Sequence, residues 1–131
     1  MQIHPILPEE IETVRLFLGA NGWGHRIGSP SHFAQLIAHS QHTAVAFKDG
    51  QVVGFARGIS DGLSNGYLSM VVVASEHRGQ GIGRGLVQQI MGDDPQITWV
   101  LRAGRPGAEA FFEKLGFARS NIAMERPRHP A

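Results

Sequence analysis

The 131-residue chain contains no cysteine, which excludes a disulfide framework, a thiolate nucleophile and any cysteine-ligated zinc or iron–sulfur centre. Lysine is nearly as scarce: of the 12 Lys and Arg residues only Lys48 and Lys114 are lysine. The 11 acidic residues bring the net charge to +1, so the broad positive footprint of a nucleic-acid binder is missing. Long apolar runs are missing too. The longest, Met70 to Ala74, falls far short of the roughly 20 residues that cross a bilayer, and no charged start with an apolar stretch precedes a cleavage site. The expectation is a cytoplasmic protein with neither a membrane nor a nucleic acid as partner.

What is present suits one folded unit. Apolar residues make up 42% and charged residues 18% of the chain, a composition that supports a core and differs from that of disordered segments. There is no repeat, low-complexity tract or linker, so residues 1–131 read as a single domain. Glycine, at 17 residues, is about twice as frequent as usual. Glycine lets backbone approach a ligand, and arginine grips phosphate with a planar fork of donors.

Met1 to Leu7 is a short apolar-leaning stretch. Pro8, Glu9 and Glu10 then make a favourable first helical turn, which Ile11, Val14 and Leu18 continue at helical spacing. Gly19 to Gly28, with five glycines and asparagines around Trp23 and His25, is expected to be a mobile loop. A second helix follows, with Ser29 as cap, Pro30 in the first turn and Phe33, Leu36 and Ile37 as its apolar stripe. Thr43–Lys48 and Gln51–Ser60 read as strands of a hairpin closed by Asp49-Gly50. Tyr67–Val73 predicts a central strand buried on both faces, because Val71, Val72 and Val73 are β-branched without alternation. A glycine-rich turn opens the next helix, which carries Leu86, Val87, Ile90 and Met91 and stops at Gly92. Ile97–Leu101 predicts a strand, Ala108–Leu115 a helix ended by Gly116, and Ile122–Glu125 a last strand. The pattern is a mixed α/β sheet.

The chemistry concentrates in Arg78-Gly79-Gln80-Gly81-Ile82-Gly83-Arg84. A turn of this kind presents consecutive N–H groups at the positive end of a helix dipole, and two arginines flank it, so it is an anion cradle. A nucleotide P-loop requires lysine and then serine or threonine after its last glycine, where this chain has Arg84 and Gly85. A dinucleotide fingerprint requires glycine or alanine at Arg84 or Leu86, depending on the starting glycine, and normally opens the first βαβ unit. A plain strand-to-helix turn without a ligand is the bland alternative.

The stretch also resembles the signature of the GNAT superfamily of N-acetyltransferases, in which Gln or Arg is followed by two residues, Gly, one residue, and Gly or Ala: here Arg78, Gly81 and Gly83. Val71-Val72-Val73 followed by Glu76-His77-Arg78-Gly79 resembles the family's fourth strand and pyrophosphate loop. Phe111 to Phe117 resembles its late helix-to-strand element, and Val52-Val53-Gly54-Phe55 with Ser60-Asp61-Gly62 resembles the hairpin of small bacterial and some arylalkylamine-type members. The likeness spans roughly residues 42 to 126.

The resemblance implies the GNAT acyl-CoA N-acyltransferase fold, a mostly antiparallel sheet of about six to seven strands with about four helices. It implies acetyl-CoA as co-substrate, with the amides of Gly79, Gln80, Gly81, Ile82 and Gly83 on the pyrophosphate and Arg78 and Arg84 adding charge. The fourth and fifth strands, here Tyr67–Val73 and Ile97–Leu101, would splay to admit the pantetheine arm along Val71, Val72 and Val73. The Val73 N–H would polarise the thioester carbonyl, a contribution of about 3 kcal/mol. The acceptor implied is a small primary amine, arylalkylamine or polyamine-like, with a protein N-terminus or lysine as the alternative. A homodimer is compatible with the likeness, and nothing in the sequence specifies its interface.

The chain departs from the family at Phe112, where many members carry the tyrosine that protonates the departing thiolate. Expelling a thiolate of pKa near 8.5 at pH 7 costs only about 2 kcal/mol, so the expectation is a slowed enzyme, with Tyr67, Ser69 or water as substitute acid and Phe112 reaching the thiol. Asp61, Glu76, His77 and His25 are the candidates for the base that frees the amine. No metal is expected, since the only close histidine pair, His39 and His42, has no second cluster or HExxH motif. Without cysteine no acetyl-enzyme forms through a thiol, and direct attack in a ternary complex is expected. A catalytically weak acyl-CoA-binding or sensing module is the alternative.

Overall fold

A computed structural model describes residues 1–129. Five strands, β1 Gln2–His4, β2 His42–Lys48, β3 Gln51–Ser60, β4 Asn65–Val73 and β5 Thr98–Val100, lie in sequential order in one sheet. The first four are antiparallel neighbours, and β5 joins β4 in parallel. The β2–β3 hairpin forms where Asp49-Gly50 predicts it, with φ of 52° and 74° at the two turn residues, the double left-handed conformation that matches strand twist.

Helices cover both faces. On one face lie α1 Ile11–Leu18, the short α2 Gly24–Ile27 and α3 Pro30–Ala38. Their Val14, Leu18, Ile27, Phe33 and Ile37 bury against Val45, Phe55, Met70 and Val72. Ser29 caps α3 by accepting from the His32 N–H at 3.1 Å, as its residue type predicts. On the other face lie α4 Ile82–Met91 and α5 Ala108–Glu113. Ile82, Leu86, Val87 and Ile90 bury against Ala44, Ala46, Val53, Ala56 and Leu68. Small strand residues make that approach close: a Cβ on Gly54 would lie 2.9 Å from Leu86, and one on Gly58 2.5 Å from Ile90. Each such branched side chain removed from water contributes about 2 kcal/mol.

The structure corrects several expectations. Gly19 to Gly28 is wound rather than loose: a wide turn, Gly19–Trp23, leads into α2, because Ile27 is buried and Trp23 packs on the α1–α3 cluster. The three-residue β1 lies in the stretch that showed only apolar leaning. The strand expected at Ile122–Glu125 is not formed. The Ser120 hydroxyl accepts from the N–H groups of Ile122 and Ala123, at 3.1 and 2.9 Å, which removes two ladder donors, and Ile122 and Met124 stay exposed. Glu125 instead pairs with Arg102 at 2.8 Å. The described residues therefore form five strands where six to seven are expected.

Candidate active site

β4 and β5 are paired at three rungs only, Asn65 with Thr98, Gly66 with Trp99 and Tyr67 with Val100. Trp99 holds this end shut. Its ring lies over Gly66 and Gly58, where a Cβ would approach it to 2.5 and 3.4 Å, and reaches His42 on β2 with ring centroids 6.3 Å apart. Beyond Tyr67 the pairing with β5 ends, and β4 continues to Val73 against β3 only.

The free run of β4 is re-aimed by a bulge. Phe55 pairs with Val72 and Arg57 with Ser69, so two residues of β4 oppose Ala56. Met70 takes the strain with φ of 54°, an unusual conformation for a side chain of its size. Past the bulge, the Ala74 N–H donates to the Val53 carbonyl on β3 at 2.9 Å. Strand alternation then turns the N–H groups of Val73 and Val71 away from β3, toward the gap.

The gap opens into a cleft of about 650 Å³ lined by Val71, Val72 and Val73, by the turn from His77 to Arg84, and by Phe111 and Phe112 of α5. At its rim, Gly79 and Gly81 have φ of 78° and 82°, and a Cβ on either would meet nothing within 4 Å. Left-handed backbone and open space together make a bay that backbone can line closely. The first α4 hydrogen bond runs from the Gly85 N–H to the Gly81 carbonyl, so the N–H groups of Ile82, Gly83 and Arg84 have no partner within the helix. Gln80 accepts from Lys48 of β2 at 2.9 Å, and Arg78 donates to the Val73 carbonyl at 3.4 Å. The bay fits a diphosphate: three orphaned amides at a helix start, with Arg78 and Arg84 beside them.

Sequence reasoning brings Val71, Val72, Val73, Arg78, Gly79, Gly81, Ile82, Gly83, Arg84 and Phe112 into one cleft. Gln80 sits in the same turn, facing Lys48. Phe112 is 8% exposed and stacks edge-on with Phe111 and Phe117, at 4.9 and 5.6 Å between centroids. Tyr67 stands on the last closed rung rather than among the lining residues.

Asp61 lies away from the cleft and organises a turn. Its carboxylate accepts from the Ser64 hydroxyl at 2.6 Å and from the N–H groups of Ser64, Leu63 and Asn65. These bonds, the Ser64 hydroxyl foremost, hold its carboxyl well below the ordinary range, which makes it a weak base. Glu76 is likewise held low, by its own backbone N–H and then the Ser75 hydroxyl. Of the four candidate bases only His77 lines the cleft, with its Nδ1 buried and unpartnered.

Other lining residues carried little sequence signal. Asn21, Arg105, Pro106, Gly107 and Lys114 are among them, and Trp23, which the sequence offers either as a wall of the acceptor pocket or as a staple between the first helices, stands beside them. Arg105 lies 4.1 Å over the Trp23 ring and donates to the Gly22 carbonyl at 2.9 Å, closing one end. The clue was the glycine- and arginine-rich run Arg102 to Gly107, a second such loop between strand and helix. Arg78, Arg84, Arg105 and Lys114 make the lining cationic, and among the described residues it contains no carboxylate. Among the described residues no cluster of three or more metal-ligating side chains occurs, and no helix is long and apolar enough to cross a membrane.

A family model for the acetyltransferase (GNAT) domain matches residues 39–119. No curated protein matches the chain. Among solved structures, a GNAT-family protein from Xanthomonas campestris pv. campestris is 25% identical, with a TM-score of 0.73 over 98% of this chain and 94% of that one. A protein of unknown function from meticillin-resistant Staphylococcus aureus is 17% identical, with a TM-score of 0.78 over 99% and 98%. A ribosomal-protein-alanine N-acetyltransferase from Brucella melitensis biovar Abortus is 16% identical, with a TM-score of 0.73 over 98% of each chain.

Proposed function

Because this chain belongs to the GNAT acetyltransferase superfamily, whose chemistry is acyl transfer, we propose that it moves the acetyl group of acetyl-CoA to the nitrogen of a small primary amine. The observation that carries the reading is the β4–β5 gap continuing into a cationic cleft whose rim is the Gly79–Arg84 bay. The amides of Ile82, Gly83 and Arg84, with the side chains of Arg78 and Arg84, would hold the pyrophosphate. The inward N–H groups of Val71 and Val73 would pair with the pantetheine arm.

Bound there, acetyl-CoA supplies an activated acyl carbon. The Val73 N–H faces the negative charge that develops on the carbonyl oxygen, a contribution of about 3 kcal/mol. The neutral amine nitrogen attacks the carbonyl carbon. The C–N bond forms, the C–S bond breaks with its electron pair leaving on sulfur, and the ammonium proton passes to water. Phe112 offers no proton to the thiolate, so water takes that part as well. The apolar faces of Phe111, Phe112 and Val71 keep bulk solvent from the reacting atoms.

Calorimetric titration with acetyl-CoA and with CoA, wild type beside Gly81→Glu, tests the reading. Micromolar binding that the variant loses, with its far-UV spectrum intact, supports it. A wild type that binds neither ligand ends it and leaves the bay as a structural turn.

A further inference from the structure

The wall of the cleft formed by Asn21, Trp23 and Arg105 has a chemistry of its own. Arg78 and Arg84 stand at the bay, but Arg105 projects from the β5–α5 loop and meets the wide turn that follows α1. Its guanidinium carbon lies over the Trp23 ring, 4.1 Å from the centroid. A guanidinium held over an aromatic ring keeps its edge, which carries the donors, free for other partners. One edge donor is used, by Nη2 on the Gly22 carbonyl at 2.9 Å, and Arg105 is otherwise exposed. The Nε1–H of Trp23, on the same ring, is buried and has no partner among the described residues. Among the described residues no Asp or Glu lines the cleft, so none of them would balance a second ammonium.

Resting on the acetyl-transfer reading, we propose that the acceptor is an amine that carries a carboxylate, of the α-amino-acid class, and that the free edge of the Arg105 guanidinium binds this carboxylate. A planar carboxylate takes two parallel N–H donors from a guanidinium edge, and a fixed cation on an aromatic ring is the complement it requires. The charge pattern also serves the reaction. A guanidinium near the amine disfavours the ammonium form, which helps to free the attacking nitrogen in a cleft that, among the described residues, holds no carboxylate base. A polyamine would bring two or more positive charges against Arg105 with no acid among those residues to receive them, so the arrangement selects against it.

The test compares acceptors that differ only in the carboxylate: phenylalanine with phenethylamine and phenylalaninamide, and lysine with cadaverine. The acids are expected to show kcat/KM at least tenfold above their uncharged or decarboxylated partners, and Arg105→Met is expected to bring the two classes together. A second readout needs no turnover. In the CoA complex of the full chain labelled with ¹⁵N, phenylalanine is expected to shift the Trp23 indole N–H resonance, assigned with Trp23→Phe, while the Trp99 indole stays in place and phenethylamine has no effect. Preference for the decarboxylated amines, or a Trp23 resonance unmoved by millimolar phenylalanine, overturns the proposal. Failure of acetyl-CoA and CoA to bind would instead overturn the acetyl-transfer reading.

Discussion

Gly83 faces Phe111 so closely that a Cβ on the glycine would lie 2.7 Å from the ring's Cζ. The start of α4 and the middle of α5 are thus in direct contact across one side of the cleft, and this glycine serves packing where Gly79 and Gly81 serve open space. Gly83→Ala is expected to cost about 1–3 kcal/mol, as overpacking does, and to be relieved by adding Phe111→Leu. Urea unfolding of the single and double variants checks both effects.

Gly66→Ala is expected to be the more damaging substitution, because its Cβ would meet three ring atoms of Trp99 at 2.5 to 2.8 Å. Phe111 borders open cleft and can swing, whereas Trp99 is held between Gly58 and His42. Loss at or beyond the upper end of the same 1–3 kcal/mol range is expected, roughly 3 kcal/mol. Thermal unfolding beside Gly83→Ala orders the two, and the reverse order would mean that Trp99 has room to move.

Asp61 gives a pH signature. Its folded-state pKa lies below the unfolded value, so its stabilisation is fully present above about pH 4 and is lost as pH falls toward the folded value. Asp61→Asn is therefore expected to flatten the decline in urea midpoint on going from pH 4 to pH 2. Turnover at pH 7 should stay within about threefold, since losing a general base costs about 10²- to 10⁴-fold. A loss of that larger size would make Asp61 a participant in proton transfer.

Phe112→Tyr separates a slow enzyme from a binding module that lacks turnover. Phe112 lines the cleft within its aromatic cluster, so the substitution adds a proton donor with little change of shape. An enzyme is expected to gain rate by up to about 10²-fold, the lower end of what a positioned acid supplies. A thiol-release assay with acetyl-CoA and an amine panel reads the difference, and a pure binder would show no release from either protein.

The hairpin, the α3 cap and the Gly79–Arg84 turn were legible in sequence because each rests on local chemistry: a left-handed Asp-Gly pair, a serine before proline, glycines between a strand and a helix. The wound segment Gly19–Ile27 was not, because glycine-rich sequence has weak preferences of its own and the packing of Trp23 and Ile27 on distant residues decides its path. Arg105 was missed for the same reason. Its importance lies in meeting Gly22 and Trp23, a pairing across 83 residues of chain in the first case that no local pattern encodes. The strand expected at Ile122–Glu125 failed in the opposite sense, since Ser120 takes the N–H donors of Ile122 and Ala123 that a ladder would need.

The sequential strand order has a consequence for how the molecule assembles. Neighbours β1 to β4 are antiparallel, and the β2–β3 and β3–β4 pairs are joined by short turns that close early in folding, with little loop entropy to overcome. The step from β4 to β5 differs: it must wait for α4 to form and cross the sheet, and it is then secured by three rungs alone. The candidate cleft therefore lies at a junction that closes after the β2–β3 and β3–β4 turns and opens before them. Amide exchange at Asn65 to Tyr67 should be faster than in the β2–β3 ladder, and a ligand that bridges β4 and β5 would act as a late fastener, slowing that exchange without altering the rest of the sheet.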